Sequence, residues 1–121
     1  MRRPGIWLLA ALALALTGSA AGSAAAGSFS AVQASAREYS IALSRGRIAP
    51  GKLRLEFANF GEDDHDLAFR RIGSSAVRNL GVTRPGRRSV GRFNVRRGSY
   101  LLWCTLADHR ARGMSARLAV R

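Results

Sequence analysis

From Tyr39 onward the apolar residues of this chain return at every second position, in short runs broken by glycine and proline. Tyr39, Ile41 and Leu43 alternate with Ser40, Ala42 and Ser44. Leu53, Leu55 and Phe57 alternate with Lys52, Arg54 and Glu56, and His65, Leu67 and Phe69 with Asp66, Ala68 and Arg70. Gly91, Phe93 and Val95 carry a further run, and Ala116, Leu118 and Val120 alternate with Arg117, Ala119 and Arg121. Successive side chains of a strand point to opposite faces, so a period of two marks half-buried strands. Tyr100 to Thr105 is aromatic and aliphatic almost throughout, which predicts a central strand. The breaks are turn signatures: Ala49-Pro50-Gly51, the loop Gly81 to Arg88 around Pro85-Gly86, and Arg97-Gly98-Ser99. Only Ser74 to Leu80 admits a turn of helix. Some seven to eight short strands predict an all-β sandwich in one domain.

The first 26 residues follow a different rule. Arg2 and Arg3 precede an unbroken apolar run from Ile6 to Leu16, and small residues from Thr17 to Ala26 follow it. That order predicts a secretory signal peptide over 1–26, cleaved after Ala26 with Ala20 as the alternative. The run falls well short of the roughly 20 residues that span a bilayer, and no cysteine lies near its end to take a lipid. The reading divides the chain into a signal over 1–26, a flexible tail over 27–35 and a folded domain over 36–121. About 95 of the 121 residues then remain, enough for one small core but not for a multidomain, Rossmann or barrel enzyme.

Charge narrows the partners. Twenty Lys and Arg, nineteen of them Arg, oppose seven Asp and Glu for a formal +13; removing the signal takes Arg2 and Arg3 and leaves +11. The bases are spread from Arg37 to Arg121 rather than gathered in one run, and export carries the chain away from nucleic acid. The balance suits a solvated basic surface, or attraction to an acidic redox partner or an anionic membrane face.

One cysteine, Cys104, allows no internal disulfide, although exported domains this small usually need a covalent or metal staple. His109 and Met114 follow Cys104 at intervals of five, and His65 lies about 40 residues upstream. The chain has two histidines, one cysteine and one internal methionine, and all four enter this pattern. Taken singly, each reads as an ordinary core or loop residue. Taken together they offer two imidazoles, a thiolate and a thioether. That set favours copper over magnesium or calcium, and His2Cys with a weak axial Met is the blue-copper electron-transfer arrangement. A metal would draw the Cys104 thiol into its thiolate form. A cysteine nucleophile would need a substrate pocket that so small a chain scarcely offers, and a multicopper enzyme would need more histidines, so no enzymatic activity is expected. Trp103, next to Cys104, points to the opposite face of its strand and is expected to pack in the core.

The stretches Asn59-Phe60-Gly61-Glu62-Asp63-Asp64-His65-Asp66-Leu67 and Gly98-Ser99-Tyr100-Leu101-Leu102-Trp103-Cys104-Thr105-Leu106-Ala107-Asp108-His109, with Gly113-Met114 and the Pro85-Gly86 turn, resemble the cupredoxins of the plastocyanin and azurin type. The resemblance covers about residues 36 to 121. It implies an eight-stranded Greek-key sandwich with copper buried at one end, held by His65, Cys104, His109 and Met114, and with an exposed edge of His109 passing electrons. It further implies a single-electron carrier, periplasmic or secreted and monomeric, that meets a redox protein such as a c-type cytochrome or oxidase and no nucleic acid. The alternative is a copper carrier or chaperone, although the exposed Met-rich or His-rich sites of such proteins are missing. Two positions depart from the family pattern: Asp108 stands where Gly is common, and Asp66 where Asn is frequent. Asp66 is expected to support the Cys104 loop by accepting from a backbone N–H or from the Thr105 hydroxyl, while Asn59 and Gly61 shape the turn before His65.

Overall fold

The structure is a computed structural model and describes Gly22 and residues 29–121. Apart from Gly22, the predicted signal peptide lies outside the described residues. Nine strands follow in order: β1 (Phe29–Arg37), β2 (Ser40–Leu43), β3 (Arg47–Ile48), β4 (Gly51–Asn59), β5 (Ala68–Arg71), β6 (Arg78–Asn79), β7 (Arg88–Val95), β8 (Gly98–Trp103) and β9 (Ser115–Val120). They form two sheets, one ordered β2-β1-β4-β7 and the other β3-β9-β8-β5-β6. β1 runs parallel to β4 and β3 parallel to β9, and the other pairs are antiparallel. Between the sheets the alternating residues meet as one core, with Val32, Leu53, Leu55 and Phe57 on one side and Leu67, Phe69, Leu102, Leu118 and Val120 on the other. Each such Leu or Phe contributes about 1.5–3 kcal/mol by leaving water.

Three sequence expectations are corrected. The tail placed at 27–35 is from Phe29 onward the strand β1, which lies inside its sheet between β2 and β4. Its buried side is Ser30, Val32, Ala34 and Ala36, while its largest apolar residue, Phe29, is exposed; small residues bury well but carry little of the period-two signal. Ser74 to Leu80 contains no helix. The segment runs extended, and Arg78 and Asn79 pair with Phe69 and Ala68 as β6. Trp103 is buried outside the inter-sheet core, under the Arg110 guanidinium, whose carbon lies 4.9 Å from the ring centroid.

Two connections at one end of the sandwich matter for function. The first joins β4 to β5 through residues 60–67, and the second joins β8 to β9 through residues 104–114. Because β8 and β9 are hydrogen-bonded neighbours in register from Gly98↔Val120 to Trp103↔Ser115, the second loop must leave and re-enter the sheet at adjacent points. The Cys104 N–H donates to Met114 O at 3.2 Å and closes it.

Candidate metal centre

His65 lies just before β5 and pairs with Thr83 in a single bridge, its N–H donating to Thr83 O at 3.2 Å and its own carbonyl accepting from Thr83 N at 2.7 Å. The preceding loop is fixed by Asn59 at the end of β4. The Asn59 amide donates to Asp63 O (2.7 Å) and Thr83 O (2.8 Å), and its Oδ1 accepts from Gly61 N (2.8 Å). One side chain thus bonds three backbone groups and pins the loop before His65 against Thr83.

The second loop coils tightly. His109 N donates to Leu106 O and Met114 N to His109 O, both at 3.1 Å, and Gly113 N donates to Arg110 O at 3.0 Å. Gly113 takes a φ of +107°, a conformation that costs a residue with a Cβ dearly. Asp108 pairs with Arg112 at 2.7 Å on the outside of the loop and so supports the coil by an i,i+4 ion pair.

The two loops bring three donors to one point. His65 Nδ1 lies 3.2 Å from His109 Nδ1, and Cys104 Sγ lies 3.5 Å from His109 Nδ1. The ligand atoms of His65, Cys104 and His109 all fall within 4.8 Å of one another, and all three residues are buried. His65 and Cys104 are 0% exposed and His109 8%, with the Tyr39 ring 5.0 Å from that of His109. Met114, the fourth residue of the pattern, is wholly buried beside this loop.

The arrangement suits a metal. Donors about 2.0–2.3 Å from one ion and 120° apart lie about 3.5–4 Å from each other, and the observed 3.2 and 3.5 Å come within a small side-chain rotation of that. The tautomers suit it too. His65 Nε2 lies 2.8 Å from Glu38 Oε1, and an ionised carboxylate can only accept. A neutral His65 ring that donates from Nε2 to this carboxylate turns its Nδ1 lone pair toward His109 and Cys104. Burial pushes the Cys104 thiol up from its ordinary value, and the Asp66 carboxylate adds to this; a cation at the cluster reverses that balance and takes the thiolate.

No family model matches the chain, and no curated protein matches it. Solved structures do. The reduced auracyanin of the photosynthetic bacterium Roseiflexus castenholzii aligns over 75% of this chain and 96% of its own with a TM-score of 0.63 and 15% identity. Rusticyanin from Thiobacillus ferrooxidans aligns over 79% of both chains with a TM-score of 0.66 and 16% identity. Auracyanin A of Chloroflexus aurantiacus, described as a "blue" copper protein, aligns over 77% of this chain and 99% of its own with a TM-score of 0.62 and 12% identity. This is the cupredoxin fold.

Within this cupredoxin fold, Asp66 takes up the part expected of it. Its Oδ1 accepts from Thr105 N at 2.6 Å, and its Oδ2 accepts from the Thr105 hydroxyl and from Asn79 Nδ2, the latter at 2.8 Å. Burial pushes the Asp66 carboxyl up, but the donors on Asn79 and Thr105 outweigh it and hold the carboxyl below its ordinary value. The carboxylate ties the residue after Cys104 to the residue after His65, so the two loops are held in mutual register.

Glu38 is the residue that sequence reasoning missed. It stands between β1 and β2, and its Oε1 accepts from Glu62 N (2.8 Å) and Asp63 N (2.9 Å) as well as facing His65 Nε2. The Asp63 N–H foremost, with the His65 ring and the Glu62 N–H, outweighs the opposing effect of burial and lowers its pKa to about 2. The one trace of this in the sequence is Gly61: a Cβ there would lie 2.1 Å from Glu38 Oε1, so the carboxylate reaches His65 only across a residue without a side chain.

Proposed function

We propose that this chain carries single electrons outside the cytoplasm through one copper ion that His65, Cys104 and His109 would hold, with Met114 as a fourth, weaker donor. The observation that carries the reading is the convergence of two imidazole Nδ1 atoms and one thiol sulfur in a buried cluster. When bound, copper supplies a one-electron couple between Cu(II) and Cu(I). The chain supplies rigidity. Asn59 fixes the loop that carries His65, Asp66 locks it to the Cys104 loop, and Glu38 keeps the His65 Nδ1 lone pair turned inward. Ligands held from outside the cluster move little when the charge on the ion changes, and that keeps the reorganisation cost of electron transfer low. Burial excludes water and tunes the potential together with the Met114 thioether.

Auracyanin A is described as a "blue" copper protein, and the donor set of this chain fits such a centre. The partner is a redox protein, a c-type cytochrome or an oxidase, with an acidic face that complements the positive charge of this chain. The N-terminal signal reading places the encounter in the periplasm or beyond the cell. Among the described residues no helix is long and apolar enough to cross a membrane.

The test is to add Cu(II) to the purified protein and record visible absorption and voltammetry. An intense thiolate-to-copper band and a reversible one-electron wave are expected, and Cys104→Ser abolishes the band. Wild-type protein that stays colourless and redox-silent would sink the proposal. Tight Cu(I) binding with no reversible couple would instead identify a copper carrier.

A further inference from the structure

The sandwich has a second concave feature that shares no residue with the His-Cys-His cluster. β7 is the last strand of one sheet and β6 the last of the other. Between these two edges opens a cavity of about 680 Å³. Arg70, Arg71, Arg78, Arg92 and Arg96 line it, and no carboxylate does. Phe69, Phe93 and Tyr100 form its apolar wall, with ring centroids 4.6 Å (Phe69–Phe93) and 6.4 Å (Phe69–Tyr100) apart.

These arginines stand without anionic partners. Among the described residues the arginine ion pairs use Arg54, Arg88 and Arg112. Of the five around the cavity, Arg71 alone places its guanidinium on an acceptor, Arg97 O at 3.4 Å. Arg70 Nε is buried and meets no acceptor at all, a state that costs a cationic donor its hydration with nothing in return. The carboxylates of the chain are committed elsewhere. Glu38, Asp66 and Asp108 are engaged at the metal end, Glu62, Asp63 and Asp64 belong to the loop before His65, and Glu56 holds Arg54 and Arg88.

Five like charges around one cavity repel each other, and the low-dielectric wall strengthens that repulsion. Guanidinium forks match the oxygens of phosphate-type anions with two parallel hydrogen bonds. The five arginines share one concave lining, which a small ligand enters more readily than a flat acidic protein surface does. The volume lies in the range of small-molecule sites, roughly 300–1,000 Å³, and leaves room for more than one tetrahedral group.

We propose that this arginine basin binds a small, multivalent oxyanion of the phosphate class, at a site separate from the metal centre. The proposal is independent of the copper reading. It is tested by calorimetric titration of inorganic pyrophosphate into the mature chain, with sodium chloride at matched ionic strength as the control. Saturable binding at one site is expected, weakened about tenfold in Arg70→Gln and again in Arg92→Gln. It is expected to be unchanged in Arg45→Gln, which lies outside the basin, and circular dichroism of each variant verifies the fold. Absence of saturable heat would overturn the proposal. So would equal losses in all three variants, which would mark general attraction to a basic surface. Binding to phosphatidylglycerol vesicles without binding of pyrophosphate would also overturn it in favour of a membrane face.

Discussion

The two halves of this sandwich treat their polar groups in opposite ways. At the metal end, Asn59, Asp66, Thr105 and Glu38 each satisfy several neighbours, and what remains turned toward the cluster is the Nδ1 lone pair of His65 beside His109 and the thiol. At the arginine basin the donors are numerous and no carboxylate lines the cavity, and Arg70 Nε finds no acceptor. The fold and the core are shared, so the difference lies in side chains alone. A site built to hold an ion rigidly uses its own carboxylates as struts, whereas a site built to receive an anion leaves its donors open. Deleting a polar group should therefore destabilise the first region and stabilise the second.

The largest effect is expected at Asp66. Asp66→Ala removes the acceptor for Thr105 N, the Thr105 hydroxyl and Asn79 Nδ2 at once and should cost the metal-free protein about 3 kcal/mol in urea denaturation, since buried donors left without partners cost more than an average hydrogen bond gains. Asp66→Asn retains one acceptor oxygen but turns an NH2 group toward other donors, so it should recover only part of that loss. Full recovery would mean that the carboxylate charge contributes nothing to holding the loops together.

Next comes Glu38. A carboxylate that accepts from the outer nitrogen of a metal-ligating imidazole fixes the ring and raises its basicity, and losing such a partner typically costs about 10–100-fold in metal affinity. Glu38→Gln should weaken Cu(II) binding within that range in competition titrations and raise the reduction potential, because a less basic imidazole favours Cu(I). Glu38→Ala should do both more strongly. An unchanged potential in both variants would reduce Glu38 to a brace for the Glu62–Asp63 backbone.

How much of this was legible in the sequence follows the size of the residues involved. Where Leu, Phe and Val alternate, as in β4 and β9, the strands stood out. β1 did not, because its buried face is Ser30, Val32, Ala34 and Ala36, and β3 and β6, at two residues each, are too short to carry a period. His65, Cys104 and His109 could be read as a converging set because such residues are scarce in this chain and their spacing is regular. The Asp66–Thr105 tie could be read from the acceptor-only chemistry of a carboxylate. Glu38 could not. It acts on His65 from 27 residues away, through a turn whose geometry no local pattern encodes. The acidic run Glu62-Asp63-Asp64 drew attention to its side chains, while the groups that Glu38 uses are the backbone N–H donors of Glu62 and Asp63. The arginine basin was equally hidden, because its five residues come from three strands and a turn and in sequence are merely part of an even spread of Arg.

The opposite sign is expected at the basin. Arg70→Met keeps an unbranched side chain in place of the arginine stem and removes a buried donor without a partner, and should stabilise the protein by about 1 kcal/mol in the absence of phosphate-type anions. The measurement is thermal unfolding in a buffer of monovalent anions. A loss of stability in Arg70→Met would show that the guanidinium already finds its acceptors within the chain, and the contrast between the two regions would fail.

The smallest effect comes from Glu56, which lies on β4 apart from both sites and sharpens the contrast by being ordinary. Its carboxylate accepts from Arg54 at 3.0 Å and from Arg88 at 2.6 Å; the Arg54 hydrogen bond foremost, together with Arg88, outweighs the upward push from burial and holds its pKa below the usual carboxylate value. A depressed folded-state pKa contributes stability that is present above the unfolded value and is lost as pH falls through the folded one. Both arginines are substantially solvent-exposed, so the pair is screened and should contribute only about 0.5 kcal/mol. Glu56→Gln should therefore lower the urea midpoint slightly at pH 6, and the gap to wild type should close as the pH drops below the ordinary carboxylate range, where the wild-type side chain also loses its charge. Added salt should narrow the gap at pH 6 in the same way. A gap that persists at low pH would assign the effect to packing of the Glu56 stem against Gln33 and Arg54, and the charge would then matter only where the protein buries it.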